Sequence, residues 1–194
     1  MLAVSVHSQA DVEDGLVRAD ALISIRGVAP PREPVIDAAL FGERVLVLRF
    51  DDIPVPAWRD HHGQEWVGPQ PSQITDALQF AQRVAETACD RRGRLAVHCL
   101  QGRSRSSAVA LAVIAQQLGA GREDEAVAQL LAEDEGTVAC NPGVIRLADR
   151  LLARDGRLEA ALERACPRFV TWREFWSRKG VWRGVGTEDP REGN

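Results

Sequence analysis

Four short apolar runs punctuate the chain: LAVSVH near the start, ALISIRG ending at Gly27, RVLVLRF ending at Phe50, and RLAVHC ending at Cys99. Their apolar content is nearly continuous rather than strictly alternating, as expected of strands buried on both faces of a parallel sheet. Helical patterns separate them. ADVEDGLVRA predicts a short helix after the first run. From Ser72 to Arg92 the residues Ile74, Ala77, Leu78, Ala81, Val84, Ala85 and Ala88 recur at three- and four-residue spacing, and Gly93 stands where that helix would stop. SSAVALAVIAQQLG is apolar nearly all round and predicts a central buried helix, and REDEAVAQLLAE brings acids into the first turn of the next. Asn141 caps a helix with Pro142 at its first position. Two more segments follow, Arg157 to Ala165 and Thr171 to Lys179, the second marked by a T-x-x-E capping box at Thr171 and Glu174 with Val170 and Phe175 at the staple positions. Strands alternating with helices predict an α/β fold, a mostly parallel sheet covered on both faces. The segment IPVPAWRDHHGQEWVGPQP, between Asp52 and the first long helix, reads as a loop. Loops of that length are functional or mobile more often than not.

With 194 residues and 45% hydrophobic content the chain can bury one substantial core. We expect residues 1–153 to form a catalytic domain, 154–184 a Trp-rich helical extension packed on it, and 185–194 a disordered tail. At helical spacing, Trp172, Phe175, Trp176 and Trp182 read as a flap packed on the domain rather than an interaction surface. The formal net charge is −4, with the signs interspersed, which gives no footprint for nucleic acid. The N-terminal stretch MLAVSVHSQADVEDG lacks a basic n-region, and the longest apolar stretch, Ala108 to Ala115, is far below the roughly 18 residues a bilayer span needs. The expected localisation is cytoplasmic, without a transmembrane segment. Cys89, Cys99, Cys140 and Cys166 show no C-x-x-C spacing, so neither a zinc site nor a disulfide framework is signalled. The adjacent His61 and His62 read as solvent-facing rather than as metal ligands, and neither metal nor cofactor is expected.

The chemistry concentrates in GRLAVHCLQGRSRSSAVALAVIA, residues 93–115. A strand ends at His98 and Cys99, a tight loop follows, and a buried helix begins near Ser106. A loop bending into a helix N-terminus directs several backbone N–H groups at one point, where the helix dipole adds positive charge. Leu100, Gln101, Gly102, Arg103, Ser104 and Arg105 therefore form a candidate phosphate-binding loop. Gly102 supplies conformational freedom, and the planar fork of Arg105 can hold two phosphate oxygens. Helix N-termini and neighbouring cations favour thiolates, so Cys99 is the expected nucleophile. Ser106 can donate to its sulfur, and His98 stands behind.

HCLQGRSRS resembles the H-C-x-x-G-x-x-R-S signature of the cysteine-dependent protein tyrosine phosphatases, and GRSRSS is most similar to their dual-specificity-like branch. The resemblance spans most of Leu22 to Leu152 and includes the NPG at Asn141 to Gly143 that opens a late helix in similar sequences. It implies a phosphatase-like four- or five-stranded sheet with helices on both faces, here followed by a C-terminal helical extension. It also implies a phosphocysteine intermediate, no metal, and a general-acid Asp on an upstream loop. RFDDIP looks like that segment, with Asp52 the candidate, Asp51 the alternative and Asp60 the fallback. No motif similar to the phosphotyrosine-recognition loop of the larger phosphatases is visible. Phosphotyrosine in proteins is the first-choice substrate, and phosphate, sulfate or vanadate should occupy the loop. A phosphatase of phosphoinositides or another small phosphorylated molecule is the alternative: neutral Leu100 and Gln101 count against it, and Arg103 keeps it open. A non-catalytic phospho-binding module would keep Arg105 and lose Cys99 or the acid. A sulfurtransferase of the rhodanese type is a further rival, disfavoured by the arginine six residues after Cys99. Cys140 reads as a small buried hydrophobe rather than a disulfide partner of Cys99.

Overall fold

Of the four apolar runs, the two that become central strands, Ala21–Arg26 and Arg94–Cys99, are buried almost throughout beneath helices, while the two edge runs, Ala3–Ser8 and Val45–Arg49, stay partly in contact with water. A computed structural model describes residues 1–182 apart from 31, 37, 43, 89–92, 133 and 135. The readings that fall on Cys89, on the end of the helix at Arg92 and on the tail 185–194 lie outside the described residues. The four runs form β1 (Ala3–Ser8), β2 (Ala21–Arg26), β3 (Val45–Arg49) and β6 (Arg94–Cys99), paired in the order β1-β6-β2-β3 with every pair parallel.

Side chains alternate across a strand, so each strand feeds two layers. Leu22 of β2 and Ala96 of β6 meet Val12, Val17 and Phe41, which come from α1 (Gln9–Glu13), the connection after it and α2 (Ala38–Phe41). On the opposite face Ile23, Leu95, Val97 and Cys99 join the main core with α3 (Pro71–Thr87), α4 (Arg105–Leu118), α5 (Glu123–Leu131), α6 (Pro142–Leu151) and α7 (Arg157–Ala165). Every residue of α4 from Arg105 to Ala115 is buried. This is the α/β architecture expected, with the heavier helical layer on the face that carries Cys99.

Three local expectations are corrected. The first helix ends at Glu13 instead of continuing towards Ala19, because Gly15 turns the chain with φ +66°. The stretch from Ile53 to Pro71 is not a plain loop: Ala57–Arg59 (β4) and Glu65–Val67 (β5) pair as an antiparallel hairpin with Trp58 opposite Trp66. Strands of three residues are too short for their alternation to register. Finally, Thr171 and Glu174 form no capping box, since the last helix, α8 (Pro167–Arg178), begins at Pro167, whose fixed φ suits the first position. Thr171 thus lies one turn inside, and its hydroxyl donates to the Pro167 carbonyl (3.2 Å).

The C-terminal helices are tied to the central one by buried polar contacts. Asp149 of α6 accepts the Leu158 and Glu159 N–H groups (3.1 and 3.0 Å), capping α7 where its own N-cap, Gly156, has no side chain to offer. Arg154 is buried, donates to the Ala115 carbonyl (3.0 Å) and faces Glu123 (3.6 Å).

Candidate active site

Cys99 ends β6, and the chain then bends through residues 100–104 into α4. Gly102 has φ +72°, and a Cβ there would lie 2.9 Å from the backbone of His7 and Ser8, so the loop passes against the end of β1 where only glycine fits. The far shoulder is held by backbone as well. The Arg103 carbonyl accepts from Ala139 N–H (2.9 Å) and the Ser104 carbonyl from Asn141 N–H (3.2 Å). Leu100, Gln101 and Arg103 are exposed, while Ser104, Arg105 and Ser106 are buried.

At the bottom of the loop the Cys99 sulfur lies 3.1 Å from the Ser106 hydroxyl. Arg105, 8% exposed, donates through Nη1 to the Phe50 carbonyl (2.9 Å) at the end of β3. Its Nε is buried without a partner, and no carboxylate among the described residues pairs with it. A buried guanidinium lacking a counter-charge is costly, and a bound anion offsets that cost. The start of α4 adds to the demand. Its N-cap, Ser104, does not bond the first-turn amides and donates instead to Asp52 Oδ1 (2.7 Å). The first-turn N–H groups are thus left without the usual side-chain cap.

His98 faces the thinner layer. Its Nε2 lies 2.8 Å from the Ser24 hydroxyl, which also accepts from Arg26 Nε (3.1 Å). Burial is the main cause pushing its pKa from 6.5 down to about 4, so the ring is neutral near pH 7. It does not contact the Cys99 sulfur through any hydrogen bond.

The two adjacent acids part company. Asp51 accepts from Val28 N–H through Oδ1 (3.1 Å) and from Val67 N–H through Oδ2 (2.9 Å), joining the connection after β2 to the hairpin. Both its oxygens are occupied by backbone. Asp52 reaches the phosphate-loop shoulder, where its Oδ1 accepts from Ser104 Oγ (2.7 Å) and Asn141 Nδ2 (2.8 Å). Its Oδ2 has no hydrogen-bond partner among the described residues. Asp60 sits away from this point, turning the hairpin by accepting from His62 and Gln64 N–H (2.9 and 3.0 Å) and from the Trp66 indole (3.3 Å).

Asn141 gathers the site, a role that its capping position in the sequence does not reveal. Its Oδ1 caps α6 at Val144 N–H (3.1 Å), its Nδ2 donates to Asp52 and to the Ile53 carbonyl (3.1 Å), and its own N–H holds Ser104. Gly143 permits the contact: a Cβ there would fall 2.3 Å from the Pro54 carbonyl oxygen. Cys140 is a fully buried thiol whose pKa burial pushes up to about 12. Among the described residues no three His, Cys, Asp or Glu side chains gather as a metal-binding group, and no helix is long and apolar enough to cross a membrane.

Residues 46–133 match the family model described as protein-tyrosine phosphatase. No curated protein sequence matches the chain. Among solved structures the chain is similar to the human tyrosine phosphatase-like serine/threonine/tyrosine-interacting protein, at TM-score 0.57 and 21% identity over 78% of this chain and 91% of that one. It is also similar to a point variant of human DUSP28, at TM-score 0.53 and 18% identity over 81% and 92%. At these identities the likeness establishes the shared fold.

Proposed function

Because the family-model match and the shared fold support a cysteine-dependent phosphatase of the protein tyrosine, dual-specificity-like type, we propose that this chain hydrolyses phosphoric monoesters through a phosphocysteine intermediate on Cys99. The observation that carries the reading is the buried Arg105, whose Nε has no partner and which faces no carboxylate among the described residues, beside a cysteine at the mouth of an uncapped helix. That arrangement suits a dianion and would be a liability without one.

In the first step the Cys99 thiolate attacks phosphorus in line, the S–P bond forms as the ester P–O bond breaks, and Asp52 gives a proton to the departing oxygen. Arg105 and the amides of residues 100–105 stabilise charge on the equatorial oxygens. In the second step Asp52, now a carboxylate, takes a proton from water attacking phosphorus, and the sulfur leaves as thiolate with the Ser106 hydroxyl donating to it. Asp52 is preferred to Asp51 on the bonding pattern: Oδ2 of Asp52 is without a partner among the described residues, while both oxygens of Asp51 are engaged by backbone amides. His98 acts from behind by fixing the end of β6.

Phosphotyrosine in proteins is the proposed substrate class. Exposed, neutral Leu100 and Gln101 border the loop where a polyanionic headgroup would call for cations. The test is a panel of phosphotyrosine peptide, phosphoserine peptide and phosphoinositide vesicles, with Cys99→Ser as control. Turnover greatest on the phosphotyrosine peptide and abolished in Cys99→Ser is expected. Preference for the vesicles would replace the substrate class, and full activity of Cys99→Ser would overturn the mechanism.

A further inference from the structure

The Asp52 loop is backed by an aromatic cluster that belongs to neither sheet layer. Ile53, the residue after Asp52, is 2% exposed and shares a buried cluster with Trp176, Val181 and Trp182, against which Val55, Trp58, Trp172 and Phe175 pack. Trp58 of the hairpin meets Trp176 of α8 edge to face at 5.9 Å. Beyond α8 the chain folds back at Gly180, so that the Trp176 carbonyl accepts from both Val181 and Trp182 N–H (3.0 and 3.2 Å). The Trp182 ring then lies 3.6 Å from the Arg146 guanidinium, a cation–π contact onto α6. α6 is the helix whose N-cap, Asn141, holds Asp52 and Ile53. The loop is therefore gripped from two directions, by polar bonds at the start of α6 and by aromatic packing anchored farther along it.

From this geometry we propose that Trp176 is a positioning residue for Asp52: the C-terminal helix clamps the acid loop against Asn141 and thereby sets protonation of the leaving group. The inference rests on the reading of Asp52 as general acid and adds a role for a region far along the chain. The composition of the clamp makes its effect local. The indole N–H groups of Trp172, Trp176 and Trp182 are buried without partners among the described residues, and leaving such donors unpaired costs stability. Packing that carries such penalties loosens more readily than the apolar core around α4, and elements of low local stability are those that move with substrate. Asp51 adds to the coupling, since its N–H donates to the Val67 carbonyl (2.6 Å) and ties the loop to the hairpin that bears Trp58.

The experiment compares Trp176→Ala, Trp176→Phe and Asp52→Asn on phenyl phosphate, a poor leaving group, and p-nitrophenyl phosphate, a good one, with hydrogen exchange on the same proteins. In Trp176→Ala, kcat on phenyl phosphate should fall about tenfold to a hundredfold, a partial loss of the roughly 10² to 10⁴ that general-acid assistance supplies, while kcat on p-nitrophenyl phosphate changes less than about threefold. KM should stay near its starting value. The Ile53 amide, bonded to the Asp51 carbonyl (2.9 Å), should exchange faster while β6 amides keep their protection. Trp176→Phe, which keeps a ring at the contact, should recover most of the loss. If Trp176→Ala fails to fold, Trp58→Ala removes the same contact from the hairpin side and carries the same expectations. Equal losses on both substrates, or unchanged Ile53 exchange, overturn the clamp. If Asp52→Asn is itself indifferent to the leaving group, the general-acid reading falls and takes the clamp with it. A leaving-group effect in Asp52→Asn without one in Trp176→Ala removes the clamp alone.

Discussion

Cys99 and Arg105 stand on backbone that cannot shift without disturbing β6 and the central helix, whereas Asp52 stands on a loop held by two side-chain donors and a patch of aromatic rings. The first half of the site is continuous with the main core, and the second is attached to it. Charge stabilisation needs fixed donors at the place where charge develops. Proton transfer needs a group that delivers to the leaving oxygen and later faces a water, which a peripheral loop can do without unsettling the anion cradle.

The sharpest way to test that division is to remove the acid. Asp52→Ala should lower kcat by about 10² to 10⁴ on an alkyl or phenyl phosphate and much less on p-nitrophenyl phosphate. The basic limb of its kcat–pH profile should disappear, and steady-state profiles on the two substrates check both points. An intact basic limb in Asp52→Ala, with its loss in Asp51→Ala, would move the role to Asp51.

Arg105→Lys should cost about 10² to 10³ in kcat/KM, the scale of losing one oriented donor in the transition state. Lysine keeps the charge but cannot donate to the Phe50 carbonyl and to phosphate with one planar group. Here the two substrates should suffer alike, in contrast to the Asp52 variant. A pronounced leaving-group dependence in Arg105→Lys would dissolve the distinction between the halves.

Stability should follow the same partition. The His98 pKa is lowered from 6.5 to about 4, chiefly by burial, so the folded protein binds fewer protons than the unfolded chain between those values. Its contribution is complete above pH 6.5 and is lost as pH falls towards 4, on the order of 1 kcal/mol per pH unit. Urea midpoints measured across that window should fall with pH in the wild type and less steeply in His98→Asn. The smallest effect is expected at Asp51: Asp51→Ala frees the Val28 and Val67 amides and should cost about 1–2 kcal/mol, read as a lower thermal midpoint.

The better-determined half was also the more legible one. The loop from Cys99 to Arg105 can be read because its neighbours in space are its neighbours in sequence: an apolar strand, a glycine and a helix apolar all round. The order β1-β6-β2-β3 is different in kind, since it rests on pairings between distant strands that no local pattern encodes. The acid half was legible only in part. RFDDIP marks where an acid stands, but what separates Asp51 from Asp52 lies in Val28, Val67, Ser104 and Asn141, up to 89 positions away in sequence. Asn141 reads as a helix cap, and capping uses only its oxygen; its amide nitrogen serves Asp52 and is invisible at that level. The T-x-x-E pattern at Thr171 misleads because Pro167 starts the helix a turn earlier. The hairpin was hidden by strands of three residues.

The chain has five tryptophans and no tyrosine. Trp58 and Trp66 face each other in the hairpin, and Trp172, Trp176 and Trp182 lie in or just after α8. None lies in the parallel sheet or in α3 to α7. Ultraviolet emission from this protein therefore originates on one side of the molecule. A shift in emission colour would report water reaching that side while far-ultraviolet ellipticity, dominated by the other helices, stays unchanged. The protein thus carries its own optical gauge for the surroundings of the Asp52 loop, readable without a label.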